Sequence, residues 1–233
     1  MFQADSITAT RRVRRALSFW RIAAILALAI SFVSILVSNT HTGTGIRSFS
    51  SHIARVRIDG LITGDTKTLK LLASVAKSSK VKAVIIRINS PGGTTVGSEA
   101  IYEAIRTIAK DKPVVAVMDS VAASGGYITA LAADHIVARG NTITGSIGVI
   151  FQWAEVDELL GKLGVRVQTI KSGPLKAEPD MFSPLKPDVK KVTEEMIRDS
   201  FDWFMSLVEK RRKLKHDVVV RLADGRVYTG RQA

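Results

Sequence analysis

Residues 114–127 read Val-Val-Ala-Val-Met-Asp-Ser-Val-Ala-Ala-Ser-Gly-Gly-Tyr, and this stretch carries both the fold and the candidate chemistry. Residues 114–118 are an apolar, β-branched run typical of a buried strand, and the pattern of residues 126–134 predicts a helix. Ser124 therefore stands at a strand-to-helix junction, where the amides of Gly125 and Gly126 and the positive end of the helix dipole favour negative charge. The alternative is that Ser124 only caps the helix.

A second glycine-rich segment follows another predicted strand. Residues 81–88 are a β-branched run that leads into Asn-Ser-Pro-Gly-Gly at residues 89–93, before a helical pattern over residues 97–110. In open α/β sheets ligands bind at the carboxyl ends of the strands, so both glycine-rich segments are expected on one edge of the sheet. One would supply a nucleophile and the other backbone N–H groups that a substrate can approach closely. Taken alone, residues 89–93 also fit a plain turn.

A serine nucleophile needs a base, and none of the four histidines is well placed for that role: His41, His52, His135 and His216. Lysine is the next candidate, because a desolvated lysine can lose its proton near neutral pH. An alternating pattern predicts a strand over residues 165–170, and Lys171 and Lys176 follow it. Both lysines are expected at the same edge of the sheet, so their position alone does not decide which of them is the base.

Four motifs in this order resemble the signal peptide peptidase A family of serine proteases. They are Asn-Ser-Pro-Gly-Gly at residues 89–93, Ser-Gly-Gly-Tyr at 124–127, Thr-Gly-Ser-Ile-Gly-Val at 144–149 and Lys-Ser-Gly-Pro-Leu-Lys at 171–176. The similarity runs from about residue 53 to the end of the chain, and the basic and apolar N-terminal segment is similar to the membrane anchor of the family. The resemblance implies a Ser/Lys dyad on the fold that the Clp protease and crotonase groups share.

Carried over by position, the resemblance makes Ser124 the nucleophile and Lys176 the general base, with the backbone amides of Gly93 and Gly125 as the oxyanion hole. Ser146 falls near the site as a candidate substrate-pocket residue, and a plain turn role fits it equally well. The implied substrates are cleaved signal peptides or other membrane-associated peptides. The implied assembly is a ring-like homo-oligomer whose active sites form between neighbours.

The N-terminus has the composition of a membrane anchor. Five arginines precede an uncharged run over residues 22–37: Arg11, Arg12, Arg14, Arg15 and Arg21. No Ala-x-Ala-like cleavage site follows a short apolar core, so an uncleaved anchor is favoured over a cleavable signal peptide. We therefore predict a cytoplasmic basic segment (1–21), a transmembrane anchor (22–38), a linker (39–52) and a peptidase domain (53–233). The arginines place this domain on the extracytoplasmic side of a bacterial inner membrane, on a single-pass protein.

Composition narrows the remaining function classes. The 233 residues include no cysteine, which excludes disulfides, thiol catalysis and cysteine-bound zinc. No metal-binding motif is present, so neither a metal nor a cofactor is expected. The net charge of +13 is explained by the N-terminal arginines and by a basic helix end at residues 210–215. Without a nucleic-acid-binding motif, we expect no nucleic acid partner.

Helices and strands alternate along the chain, which predicts an α/β fold with a largely parallel sheet and flanking helices, of the Clp protease/crotonase-like type in the resemblance. Other expected elements are strands at 53–58 and 136–138 and helices at 66–78, 156–163 and 187 to about 215. Residues 230–233 look like the start of a helix and family members continue further, so we expect a C-terminally truncated domain that exposes core surface. Two alternatives remain: a crotonase-like acyl-CoA enzyme, which would use the paired glycine amides but neither Ser124 nor Lys176, and a catalytically silent membrane scaffold.

Overall fold

The computed structural model describes residues 20, 24–28, 31 and 50–233, and the chain divides into two units, Met1–Phe49 and Ser50–Ala233. In the first unit the described residues are helical, and the side chains of Ile25, Leu26 and Leu28 are exposed. The predicted anchor at residues 22–38 lies mostly outside the described residues. In the part of the chain that the structure describes, no helix combines the length and the apolar character needed to cross a membrane.

The second unit has a mixed α/β architecture that follows the predicted alternation. Its elements in chain order are β1 (His52–Ile62), α1 (Thr66–Lys77), β2 (Val81–Gly93), α2 (Thr95–Ile108), β3 (Val114–Ala123), α3 (Gly125–Leu131), β4 (His135–Ala138), β5 (Ile143–Gly145), α4 (Asp157–Lys162), α5 (Pro187–Arg212), α6 (His216–Leu222) and β6 (Val227–Thr229). The sheet order is β1-β2-β3-β5-β6, and β4 also pairs with β3. Only the β5–β6 pair is antiparallel. The predicted α/β class with a largely parallel sheet is confirmed.

Two apolar clusters hold this unit together. The first packs α1 and α2 on the central strands, where Ile86, Ile88 and Val114 are fully buried. Such strands read as continuous apolar runs because helices cover parallel sheets. The second cluster joins α3 to α5 and α6 through residues such as Leu131 and Phe204. Helix α3, which follows Ser124, is thus buried between the sheet and α5.

Side chains at the helix ends explain where the helices begin and end. The Asp65 carboxylate accepts from the N–H groups of Lys67 and Thr68 at the start of α1, as expected of an N-cap aspartate. At the other end, Lys112 Nζ donates to three backbone carbonyls, those of Val75, Ala76 and Ser78. A cation there satisfies carbonyls that the helix leaves without donors and matches the helix dipole.

The prediction of a strand at residues 165–170 is wrong. This segment pairs with none of the strands of residues 50–233, and all six of its side chains are exposed. The alternation of apolar and polar residues suits a half-buried strand, but a strand forms only where a neighbouring strand supplies backbone partners. Lys171 and Lys176 therefore do not follow the carboxyl end of a strand, contrary to the prediction.

The C-terminal elements also differ from the prediction. The long helix ends at Arg212 rather than near residue 215, because Lys213 adopts a left-handed backbone with φ of 54°, and a separate helix, α6, follows. The short strands β5 and β6 were not expected, since three residues are too few for a periodic pattern. Residues 230–232 form a turn, in which the N–H of Ala233 donates to the carbonyl of Thr229 at 3.0 Å.

Candidate active site

Ser124 occupies a sharp turn between β3 and α3. Its backbone has φ of 52° and ψ of −120°, a combination that residues with a Cβ rarely adopt and that belongs to the first central position of a type II′ turn. Such a residue costs on the order of 1–3 kcal/mol and persists only where the surroundings enforce it. Strain of this kind at a nucleophile candidate is typical of functional sites.

The hydroxyl of Ser124 does not cap helix α3. Ser124 stands at the N-cap position, but its side chain makes no capping hydrogen bond. The backbone holds the turn instead: the N–H of Ser124 donates to the Gly145 carbonyl at 2.9 Å, and its own carbonyl accepts from Tyr127 and Ile128. Ser124 is half-buried, and the missing cap hydrogen bond weakens the capping alternative.

The two glycine-rich segments meet beside Ser124. A Cβ built on Gly92 would lie 2.9 Å from both the Ser124 Cβ and the Gly125 nitrogen. A Cβ built on Gly125 would overlap the Ser98 hydroxyl and lie 3.2 Å from the Gly93 nitrogen. The amides of Gly93 and Gly125 are thus neighbours on the Ser124 side of the sheet. Only glycine allows this close approach, and the predicted meeting of the two segments is confirmed.

Residues 89–93 are a continuation of β2 and not a plain turn. Ser90 pairs with Ala122 of β3, and Gly93 pairs with Ile62 of β1. Ser90 is fully buried, and its hydroxyl accepts from the N–H of Gly92 at 3.1 Å. The segment is therefore held from both sides by strands, which gives the Gly93 amide a rigid position.

A small cavity of about 20 Å³ adjoins the nucleophile candidate, with room for about one water molecule. Ser124, Gly93 and Gly125 all line it. Other lining residues were not predicted as site residues from the sequence, and they include Ser98 of α2, Gly148 and Val149, and Ser200 and Trp203 of α5. Ser200 and Trp203 are three positions apart and so share a helix face, but this spacing by itself does not distinguish a site from a core contact.

The structure separates the two candidate lysines. Lys171 is largely buried, and its Nζ donates to Glu178 Oε1 at 2.9 Å. This hydrogen bond raises the pKa of Lys171, which keeps it charged at neutral pH. Lys176 is exposed, in a turn in which its N–H donates to Gly173 at 3.2 Å. Lys176 does not line the Ser124 cavity, and its role as the base stays a prediction.

Ser146 directly follows Gly145, whose carbonyl accepts from the N–H of Ser124. Its φ is 51°, and its N–H donates to the Arg226 carbonyl at 2.8 Å, next to the β5–β6 pair. Ser146 does not line the small cavity, whereas Gly148 and Val149 of the same motif do. The substrate-pocket role of Ser146 stays a prediction.

A larger, mostly apolar cavity has a volume of about 420 Å³. Residues of β5, α5 and α6 line it, Arg212 among them, together with Tyr127 and Tyr228. It contains none of the residues predicted for the active site. Size alone therefore does not locate the candidate chemistry, which rests on Ser124 and the glycine amides around the smaller cavity.

A strained serine between a strand and a helix, beside two neighbouring glycine amides on a largely parallel sheet, defines the class of serine hydrolases. Within that class, the chain belongs to peptidase family S49, whose family model matches residues 106–233. A Clp protease family model also matches residues 61–142, which supports the Clp protease-like fold.

Relatives with assigned names agree with the family. "Putative protease slr0021" of Synechocystis is 40% identical over 78% of this chain and 66% of its own length. "Putative signal peptide peptidase SppA" of Enterococcus faecium is 41% identical over 71% of this chain and 48% of its own length. The similarity thus spans less than two thirds of each of these relatives. Among solved structures, ClpP1 from Listeria monocytogenes is similar with a TM-score of 0.43 at 17% identity, over 76% of this chain and 82% of its own. The resemblance to the signal peptide peptidase A family is confirmed.

Proposed function

We propose that this chain is a serine endopeptidase in which Ser124 attacks the peptide carbonyl and Lys176 is the general base. The observation on which the proposal depends is that Ser124 makes no capping hydrogen bond with its side chain and lines the cavity that Gly93 and Gly125 also line. A nucleophile and two fixed amides within one small space are two of the three components that acyl transfer requires, and the third is a general base.

In the proposed reaction, neutral Lys176 Nζ takes the proton from Ser124 Oγ as Oγ bonds to the carbonyl carbon. The N–H groups of Gly93 and Gly125 donate to the oxyanion that develops. When the C–N bond breaks, the Lys176 ammonium returns the proton to the leaving amine. Water then attacks the acyl-enzyme with Lys176 again as base, which releases the acid and restores Ser124.

The nucleophile is tested with the full chain and a fluorogenic peptide. We expect Ser124→Ala to abolish hydrolysis and Ser79→Ala, at an exposed position outside the cavity, to retain the wild-type rate. Activity of Ser124→Ala at the wild-type level would overturn the proposal. This comparison also separates a peptidase from a crotonase-like enzyme and from a silent scaffold, because neither of those depends on Ser124.

Lys171 forms an ion pair with Glu178, whereas Lys176, the other lysine of the motif, forms none within the described residues. This difference supports the choice of Lys176 as the base. Lys176→Ala and Lys176→Arg should both be inactive, because guanidinium stays charged. Lys70→Ala, at an exposed position of α1, is the control. Wild-type activity in Lys176→Ala would reject the assignment.

The proposed substrates are cleaved signal peptides or other membrane-associated peptides, on the extracytoplasmic side of a bacterial inner membrane. The support is the arginine-rich segment followed by the apolar run at residues 22–38 and the name of the Enterococcus relative. Hydrolysis of a synthetic signal peptide in lipid vesicles, compared with a polar peptide of equal length, tests the substrate class. Equal rates on both peptides would contradict it.

We also propose a ring-like homo-oligomer. Residues 150–175 expose apolar side chains that a solvated surface does not need, with Ile150 at 86%, Leu163 at 68% and Ile170 at 103% exposure. A second copy of the chain would cover them. Light scattering after size exclusion should give an oligomer for the wild type and a smaller species for Ile170→Glu. A monomeric, active wild type would contradict the proposal.

A further inference from the structure

The loop that carries Lys176 is closed by an ion pair that the proposed reaction does not use. Lys171 Nζ lies 2.9 Å from Glu178 Oε1 and 3.7 Å from Asp180 Oδ2. The side chains of Lys171 and Glu178 are only 17% and 6% exposed. Between them, Lys176 is exposed. The ion pair therefore joins the two ends of the loop, and the exposed Lys176 lies within it.

Glu178 is the centre of this network. Its second oxygen, Oε2, accepts from the N–H of Asp180 at 3.0 Å, and Lys186 Nζ lies 3.6 Å from Oε1. The hydrogen bond from Lys171 lowers the pKa of Glu178, so the carboxylate is charged at neutral pH. Both oxygens of one largely buried carboxylate thus have partners, Oε1 at the start of the loop and Oε2 just beyond its end, a geometry that resists rotation of the side chain.

The backbone between the pair and Lys176 also depends on its surroundings. Ala177 joins Lys176 to Glu178 and has φ of 60°. A residue with a Cβ adopts this left-handed conformation only where neighbouring contacts impose it. Lys176 is two residues before Glu178, so the direction of Lys176 follows from how Glu178 is held.

We propose that Lys171 and Glu178 are positioning residues, whose ion pair holds the loop of residues 172–177 in the conformation from which Lys176 acts on Ser124. The inference rests on the proposed function, because it needs Lys176 as the base. In this role Lys171 keeps its proton, whereas a general base must lose its proton to act. The Lys171–Glu178 pair thereby fixes one lysine so that the other can lose and regain its proton.

The test measures kcat and KM for the full chain with Lys171→Arg, Lys171→Met and Glu178→Gln. Lys171→Arg keeps the charge and the hydrogen bond to Glu178, so we expect a kcat within about threefold of wild type. Lys171→Met and Glu178→Gln should lower kcat by about tenfold to a hundredfold with KM little changed, because a misplaced base impairs the chemical step. Lys70→Met and Glu103→Gln, at exposed positions of α1 and α2, are the matched controls.

Two further variants make the outcome decisive. The charge exchange Lys171→Glu with Glu178→Lys should recover part of the lost kcat, which a general loss of stability would not. If Lys171→Met fails to fold, Lys171→Arg compared with Lys176→Arg decides, since only the true base loses all activity as arginine. An inactive Lys171→Arg beside an active Lys176→Arg would overturn the inference.

Failure of the inference is distinguishable from failure of the proposed function. Wild-type kcat in both Lys171→Met and Glu178→Gln, with Lys176→Ala inactive, would overturn the positioning role and leave the peptidase proposal intact. Wild-type activity in Ser124→Ala would instead overturn the peptidase proposal itself. Reduced kcat in Lys171→Met and Glu178→Gln, retained kcat in Lys171→Arg and an inactive Lys176→Arg would support both.

Discussion

Arg211 Nε donates to the Leu131 carbonyl at 2.8 Å, at the opposite end of helix α3 from Ser124. A second nitrogen of Arg211 donates to Ala133 at 2.8 Å, and Arg106 donates to the carbonyl between them at 2.9 Å. Two arginines therefore satisfy the carbonyls at which this short helix ends, and their charge matches the helix dipole. The helix that presents the nucleophile is held at both ends by long-range hydrogen bonds.

Arg211→Ala should lower the free energy of unfolding by about 2 kcal/mol, because it leaves two carbonyls without a charged donor. Urea unfolding of the full chain measures the change. The neighbouring Lys210→Ala, at an exposed position, should change it by less than about 0.5 kcal/mol. Identical midpoints for Arg211→Ala and wild type would show that this contact does not stabilise the protein.

The backbone strain at Ser124 predicts an unusual order of stabilities. Ser124→Gly should be more stable than Ser124→Ala by about 1 kcal/mol, because glycine adopts a positive φ without a steric penalty. Ser74, inside helix α1, is the control: there the alanine variant should exceed the glycine variant by about 1 kcal/mol. Thermal unfolding of the four variants is the measurement. The same order at both positions would argue against strain at Ser124.

The ion pair of Lys171 and Glu178 predicts a pH window. The pKa of Glu178 is lowered by Lys171, so its stabilisation is present above the unfolded value of about 4.3 and is lost as the pH falls through the lowered folded value. The pKa of Lys171 is raised, so its stabilisation is present below about 10.4 and is lost only as the pH rises through the raised value. The pair therefore stabilises the fold across neutral pH.

Lys171→Met should accordingly reduce the free energy of unfolding at pH 7, and the difference from wild type should shrink at acidic pH as Glu178 is protonated. Unfolding curves at several pH values provide the test. Lys162→Met should show no such dependence, since Lys162 is exposed. A cost of Lys171→Met that is equal at both pH values would contradict the ion-pair account.

The arginine-rich N-terminus predicts an uncleaved anchor. The mature protein should keep residue 1 and remain in the membrane fraction after a carbonate wash. Protease added from outside the inner membrane should digest residues beyond about 40, because the positive charges hold the N-terminus in the cytoplasm. A mature N-terminus within residues 38–45, found by mass spectrometry, would instead show a cleaved signal peptide.

Local patterns predicted the parts of the fold that are periodic and long. The β-branched runs at residues 81–88 and 114–118 became β2 and β3, since buried parallel strands need continuous apolar sequence. The same reasoning failed at residues 165–170, whose alternation has no partner strand. Strands β5 and β6 escaped prediction because their pairing joins Ile143 to Thr229, which are far apart in the chain.

The sequence by itself determined the α/β class, the strand-to-helix serine and the two glycine-rich segments, because these depend on periodicity and on residue types within a few positions. Only the tertiary structure decided that Ser124 is strained and leaves its helix uncapped, that Gly125 lies beside Gly93, and that Lys171 is committed to Glu178. The physical reason is that hydrogen bonds and ion pairs depend on atoms within a few ångströms in space. Gly93 and Gly125 are 32 positions apart, and no local sequence pattern predicts that they lie side by side.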